Sequence, residues 1–400
     1  MALSARPHPC HLLPRGNLSI DRSRSGVDMP YSSKKHRHDA ETVVMTTGTL
    51  FVHILSAVIG ACALSACQCN EGVVTPIATT DNQFEFSRMV MGAPCRVVFY
   101  ASSEESANES ARAVFERLAR IEEALSDWMP SSETRQLPSL PAVQTTVGPD
   151  LAFALSASLH YARMTDGAFD PTVGALTKRW RAARRDGRVP DAAELLTLRA
   201  RCGWQQVQFD EAAHTYAARV PGLELDFGGI GQGIGADAAL AVLRERGVTS
   251  ALIDLSGDIA VSDAPPGRTG WNIDLDDPWH TKLELANAAV TTSGDRFQHM
   301  DVATDGGTTT RRSHIIDPAT GEPLTTRVEV VVVARTGVEA DALATALSVM
   351  GPERGLALLA KLPSTSARWR YETGRQPVVT SAGWPTPALR IHASPGIATF

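Results

Sequence analysis

The sequence predicts an α+β fold of mixed and antiparallel sheets with flanking helices, and three observations predict it. Helical periodicities alternate with short runs rich in β-branched and aromatic residues. Several of those runs are joined by turns rather than helices, which implies antiparallel pairing. Hydrophobic residues make up 43% and charged residues 20% of the 400, a globular composition large enough for one big domain or two closely packed ones.

In chain order, Cys95–Tyr100 (CRVVFY) suits a strand. Ala111, Val114, Phe115, Leu118, Ile121 and Leu125 then recur at helical spacing, with Ser102 or Ser103 available as a cap. A second helix is predicted over 151–164 with Asp150 as its cap. A third starts at Asp191, where Glu194 completes a capping-box pattern. Strands are expected over 205–209, 223–227, 250–255, 271–275 and 327–334, interleaved with helices over 233–246 and 338–350. Residues 84–385 read as one catalytic unit, after a polar tether over 67–83 and before a tail over 386–400 with no readable role.

Residues 1–66 read as an extension and export signal. The apolar stretch Thr49–Ala66 follows the basic residues Lys34, Lys35 and Arg37. It ends in Leu64-Ser65-Ala66-Cys67, which resembles a bacterial lipobox, with the Cys67 thiol as the lipidation site. A retained membrane helix is the competing reading, since the stretch is near the spanning minimum of roughly 18 residues. The expected mature chain is therefore exported and lipid-anchored to a bacterial membrane on its periplasmic face, with Met29 the expected initiator. Cys69, Cys95 and Cys202 would then meet an oxidising compartment, and a disulfide among them is left open. A net charge of −6 and the lack of a Lys/Arg run in the body exclude a phosphate-tracking stripe, so nucleic acid is not an expected partner.

Three constellations carry candidate chemistry. Leu225–Asp237 (LDFGGIGQGIGAD) is a glycine-rich turn running into a helix, where backbone approaches a ligand closely and the helix start favours an anion. Gly231, Gly233 and Ala236 also fit the dinucleotide spacing G-x-G-x-x-A, which a ligand-free strand-to-helix turn shares. Asp341 and Thr345 lie one helical turn apart, so carboxylate and hydroxyl project from one face. With a loop carbonyl they would make a hard oxygen site suited to Mg²⁺; a solvated Asp and a Thr bonded back to the helix give the same pattern. His314, in SHIIDPATGEP, has a side chain that titrates near neutral pH and could act as a general base beside a phosphate, or be structural. The stretches 166–172 and 291–295 each join a turn glycine to an expected exposed Asp, Ser or Thr.

The order of these signals is more specific than any one of them. DGAFDPTVGAL, LDFGGIGQGIGAD, TTSGD, SHIIDPATGEP and EADALATAL occur in a sequence order that resembles the ApbE-type FAD:protein FMN transferase family over roughly 91–362. The resemblance implies an FAD cleft between two halves of an α+β fold. It also implies transfer of FMN from FAD to a Thr or Ser hydroxyl of a flavin-acceptor redox protein, releasing AMP. By motif, Met91, Trp128, Ala168, Phe169, Asp170, Asp226, Gln232 and Ile316 would contact FAD, and Ser293 would lie near its phosphates. The Gly229 carbonyl, Asp341 and Thr345 would bind Mg²⁺, and His314 would take the proton of the incoming hydroxyl.

Some positions depart from the family pattern. Gln232 stands where many members have Lys, Ser256 replaces the first glycine of a GGD pattern before Asp258, and Trp128 stands where Tyr is usual. Two alternatives follow: an FAD-hydrolysing pyrophosphatase, and a non-catalytic FAD-binding lipoprotein. A Rossmann oxidoreductase would require parallel βαβ units around Gly231.

Overall fold

The computed structural model describes residues 82–385, except 139–140, 276, 278–280, 297, 304–308 and 372–377. The export signal, Cys67, Cys69, most of the tether and the 386–400 tail lie outside the described residues.

The described chain opens on an antiparallel hairpin, β1 (Gln83–Val90) and β2 (Ala93–Tyr100), turned at Met91 and Gly92 with φ of 53° and 71°. Helix α1 (Glu104–Leu125) starts where the cap signal lies: Ser103 Oγ accepts from Ser106 N at 3.2 Å, and Glu104 and Glu105 sit at the positive end of the helix dipole. Short α2 (Glu133–Gln136) and β3 (Thr145–Thr146) lead into α3 (Pro149–Met164). Pro149 opens α3, so Gly148 is the cap in place of the expected Asp150, whose carboxylate pairs with Arg117 at 2.7 Å. Helix α4 (Gly174–Asp186) is absent from the sequence reading, because its cations crowd a short apolar stripe of Leu176, Trp180 and Ala183. Helix α5 (Ala192–Arg199) has the predicted cap, with Asp191 accepting from Glu194 N at 2.8 Å.

Strands β4 (Val207–Asp210) and β5 (Thr215–Ala218) join β3 in a small sheet. Then come α6 (Gly231–Glu245), β6 (Ala251–Leu255), β7 (Asp258–Val261), β8 (Trp271–Asp274), β9 (Lys282–Leu285), β10 (Ala288–Gly294), β11 (His299–Ala303) and β12 (Thr309–Ser313). The described chain finishes with β13 (Val328–Ala334), α7 (Gly337–Leu359), β14 (Ser366–Tyr371) and β15 (Val379–Thr380). The main sheet has eight strands in the order β1-β2-β6-β7-β10-β13-β14-β15, and each neighbouring pair is antiparallel. Strand β6, which follows α6, pairs antiparallel with β2 and β7, so Gly231 does not sit in a parallel βαβ unit and the Rossmann reading fails.

The strand expected over 223–227 is a correction. Glu224 makes one isolated bridge to Val173, and Asp226 N donates to Pro171 O at 2.8 Å. The segment is laid against the loop that precedes α4 and adds no strand to a sheet. Cys95 and Cys202 are free thiols, so no disulfide joins these two.

One apolar core packs α1, α6 and α7 onto the main sheet through Val97, Phe99, Leu118, Leu243, Ile253, Val330, Leu343 and Leu347. A second joins α1, α3 and α7 to the glycine-turn segment through Ile121, Leu151, Leu155, Phe169, Phe227, Ile234 and Ala342. Helices α6 and α7 supply both cores, so apolar residues cover most of their circumference. Each fully buried Leu or Ile stabilises by roughly 1.5–3 kcal/mol over exposure, so packing fixes where the two helices meet.

Candidate active site at a helix crossing

The glycine turn is closed by its own backbone: Ile230 N and Gly231 N donate to Phe227 O at 3.1 and 2.7 Å. Asp226 anchors it from one side. Its Oδ1 accepts from Gly228 N at 2.7 Å, while Oδ2 accepts from Thr177 Oγ1 at 2.6 Å and Arg181 Nη2 at 2.9 Å, both on α4. On the other side the start of α6 crosses the start of α7 in backbone contact. A Cβ on Gly233 would lie 2.3 Å from Gly337 O, and a Cβ on Gly229 would lie 2.8 Å from Thr345 Oγ1. Gly233 N donates to Asp341 Oδ2 at 3.0 Å. Gly229 on the turn and the Asp341–Thr345 face of α7, far from it in sequence, therefore meet at one crossing.

Asp341 is fully enclosed, and its pKa is raised well above the usual carboxylate value by burial first and by the charge of Asp258 second. The amides of Gly233 and Gln232 oppose that rise. Asp258 comes from the other side of the site, at the start of β7, after a turn in which Ser256 and Gly257 have φ of 58° and 99°. Glycine accepts that conformation without strain and serine does not, so the Ser256 departure is paid in backbone strain. Oriented so that its nitrogen rather than its oxygen faces these acceptors, the Gln232 side-chain amide donates to Leu255 O at 3.1 Å and to the Asp258 carboxylate. Carboxylates of Asp341 and Asp258, the Thr345 hydroxyl and the glycine-turn backbone gather here, and such hard oxygen donors suit a divalent cation.

Met91 packs against this crossing: a Cβ on Gly235 would lie 2.9 Å from its Sδ, and one on Gly231 3.8 Å from its Cε. Trp128 is 60% exposed. Its neighbour Asp127 is bound by Arg181, the same guanidinium that donates to Asp226. Ala168 and Phe169 are buried in the second core, and Asp170 is buried rather than exposed as expected for its stretch. Its oxygens accept from Thr172 N and Trp204 N at 2.8 and 2.9 Å, which builds the loop feeding α4. Asp295 is likewise buried. Ser293 lies on β10 opposite Val330, and the register Val290↔Ile259 brings the neighbouring Thr291 level with Asp258.

His314 follows β12, and Ile316 behind it packs with Leu176 and Trp180 of α4. Trp180 Nε1 donates to Gly321 O at 2.8 Å, which ties this turn to the helix. His314 Nδ1 lies 3.1 Å from Gln298 O, so the ring proton sits there and Nε2 keeps its lone pair. His314 is exposed by surface area, but protein packed around its ring partly desolvates it and lowers its pKa below 6.5. Burial is the main cause, opposed by the Gln298 carbonyl; Arg184 and Arg181 lower it further and Asp226 raises it.

Sequence reasoning missed Arg181, Asp127 and Arg184, and noted Asp237 and Asp258 only as parts of patterns. Thr177, Arg181 and Arg184 stand at i, i+4 and i+7 on α4, a signal that was readable only once that helix was recognised.

Relatives of this chain are found among both sequences and solved structures. An FAD:protein FMN transferase of Treponema pallidum is 33% identical over 328 residues, covering 75% of this chain and 87% of the relative. One from Klebsiella pneumoniae is 29% identical over 289 residues, covering 70% and 87%. Among solved structures, the ApbE protein of Thermotoga maritima superposes with a TM-score of 0.67 at 26% identity, covering 75% of this chain and 97% of that one. The flavin transferase ApbE from Vibrio cholerae gives a TM-score of 0.63 at 25% identity, covering 75% and 97%. Residues 91–369 match the ApbE family, and the chain belongs to it.

Proposed function

We propose that this chain is an FAD:protein FMN transferase, moving FMN from FAD onto a Thr or Ser hydroxyl of a flavin-acceptor redox protein. The observation that carries the reading is the meeting of Gly229, Asp341 and Thr345 beside the Asp226 turn. The donor set fits Mg²⁺, with the Gly229 carbonyl, Asp341 and Thr345 as its protein ligands. When bound, the ion would neutralise charge on the pyrophosphate. Met91, Trp128, Ala168, Phe169, Asp170, Asp226, Gln232 and Ile316 are the proposed FAD contacts, with Ser293 toward the phosphates. His314 Nε2 takes the proton of the incoming hydroxyl as its oxygen bonds to the FMN-side phosphorus. The bond from that phosphorus to the bridging oxygen breaks, and AMP leaves with the bonding pair. The mature protein is proposed to be exported and anchored by a lipid on Cys67.

The test mixes the mature chain with FAD, Mg²⁺ and candidate flavin-acceptor subunits, and reads covalent flavin fluorescence together with the small-molecule products. Labelled acceptor with AMP is expected, and His314→Asn should lower the rate by about 10²–10⁴. FMN and AMP released at the same rate without acceptor, with no labelled protein, would overturn transfer in favour of hydrolysis. Tight FAD binding with no turnover would reduce the chain to a binding protein.

The pKa of His314 gives a pH prediction. Because it lies below 6.5, the neutral base persists into acid and the acid limb of kcat/KM should fall below pH 6.5. Arg184→Gln removes a cation acting on the ring and should move that limb upward. A limb unmoved by this change would detach it from His314.

A further inference from the structure

The start of α7 has two caps, and only one belongs to its own strand of chain. Thr336 Oγ1 accepts from Glu339 N at 3.2 Å, the ordinary local arrangement. The Gly337 and Val338 amides instead donate to Asp237 of α6, to Oδ1 at 2.7 Å and Oδ2 at 3.0 Å. The exchange is reciprocal, because Gly233 at the start of α6 donates to Asp341 of α7 at 3.0 Å. Each helix thus supplies a carboxylate to the other's exposed amides, one turn on either side of the Gly233–Gly337 contact.

Helix-end amides at a surface are commonly satisfied by water. Here a partly buried carboxylate replaces it, and desolvation pushes the Asp237 pKa up to about 6. A local hydroxyl would cap the helix without that penalty. What the carboxylate adds is a set distance: with both oxygens engaged, sliding α7 along α6 or rotating it would break a hydrogen bond. Asp341 and Thr345 are the next residues along that helix to face the glycine turn.

We propose that Asp237 is a positioning residue for the cation site, fixing how far Asp341 and Thr345 reach toward the glycine turn. The inference rests on the reading that those residues hold a divalent cation.

The experiment titrates Mn²⁺ into the mature chain without FAD, by electron paramagnetic resonance, for wild type and four variants at a temperature where circular dichroism shows them folded. Asp237→Asn keeps the shape but loses one acceptor and a charge. Asp237→Glu keeps the charge but displaces the helix start by a methylene. Both should weaken Mn²⁺ binding by roughly 10–100-fold. Thr336→Val and Asp150→Asn, which remove the local cap and a distant ion pair, should lower Tm and leave Mn²⁺ affinity unchanged. Wild-type affinity in Asp237→Glu would show that only charge matters and overturn the proposal; this variant also decides the case if Asp237→Asn does not fold. Mn²⁺ affinity that tracks Tm across all four variants would overturn it too. If wild type itself binds no Mn²⁺, the cation reading falls and the positioning role falls with it.

Discussion

Asp341→Asn should lower flavin transfer by about 10³-fold, on the order of 4 kcal/mol of transition-state stabilisation, without lowering the metal-free Tm. The asymmetry follows from the site. The Asp341 carboxylate is buried, stands near the like charge of Asp258, and accepts from the neutral backbone amides of Gly233 and Gln232. An amide of the same shape still accepts from Gly233 N and relieves the repulsion. Wild type should gain Tm with Mg²⁺, and the variant should not, because a ligand stabilises only the form that binds it. Transfer within tenfold of wild type would remove Asp341 from the chemistry.

Gly233→Ala is expected to have the largest effect on the fold among single-methyl changes. Alanine is the better helix former, so propensity alone would stabilise α6. The added methyl would instead lie 2.3 Å from Gly337 O, 2.5 Å from Gly337 C and 2.9 Å from Asp341 Cβ. Backbone cannot swing aside as a side chain can, so the helices must separate at a loss of roughly 3 kcal/mol. Gly235→Ala is the control. Its methyl would meet Met91 Sδ at 2.9 Å and the ends of Leu255 and Leu118 at 3.0 and 3.2 Å, groups that can rotate away. Thermal melts in which the two variants lose equal stability would contradict the picture of a backbone-to-backbone crossing.

Much of this molecule is legible in its sequence where a local rule decides. Ser103 and Asp191 act as caps because their oxygens reach amides three residues on, and the antiparallel sheet follows from strands joined by turns. The Gly229, Asp341 and Thr345 grouping was legible through motif order. Local rules fail where the tertiary fold intervenes. Asp150 looks like a cap until Pro149 takes the first position and Arg117 the carboxylate. Residues 223–227 look like a strand until the loop before α4 claims their hydrogen bonds. Asp237 and Asp258 matter only through elements that arrive from elsewhere in the chain, and no spacing announces that.

Arg181 has a consequence for how two distant stretches of the chain are held. One guanidinium joins Asp127, beside the exposed Trp128, to Asp226, which braces the glycine turn. Arg181→Gln would therefore release Asp127 and the Asp226 brace in a single change.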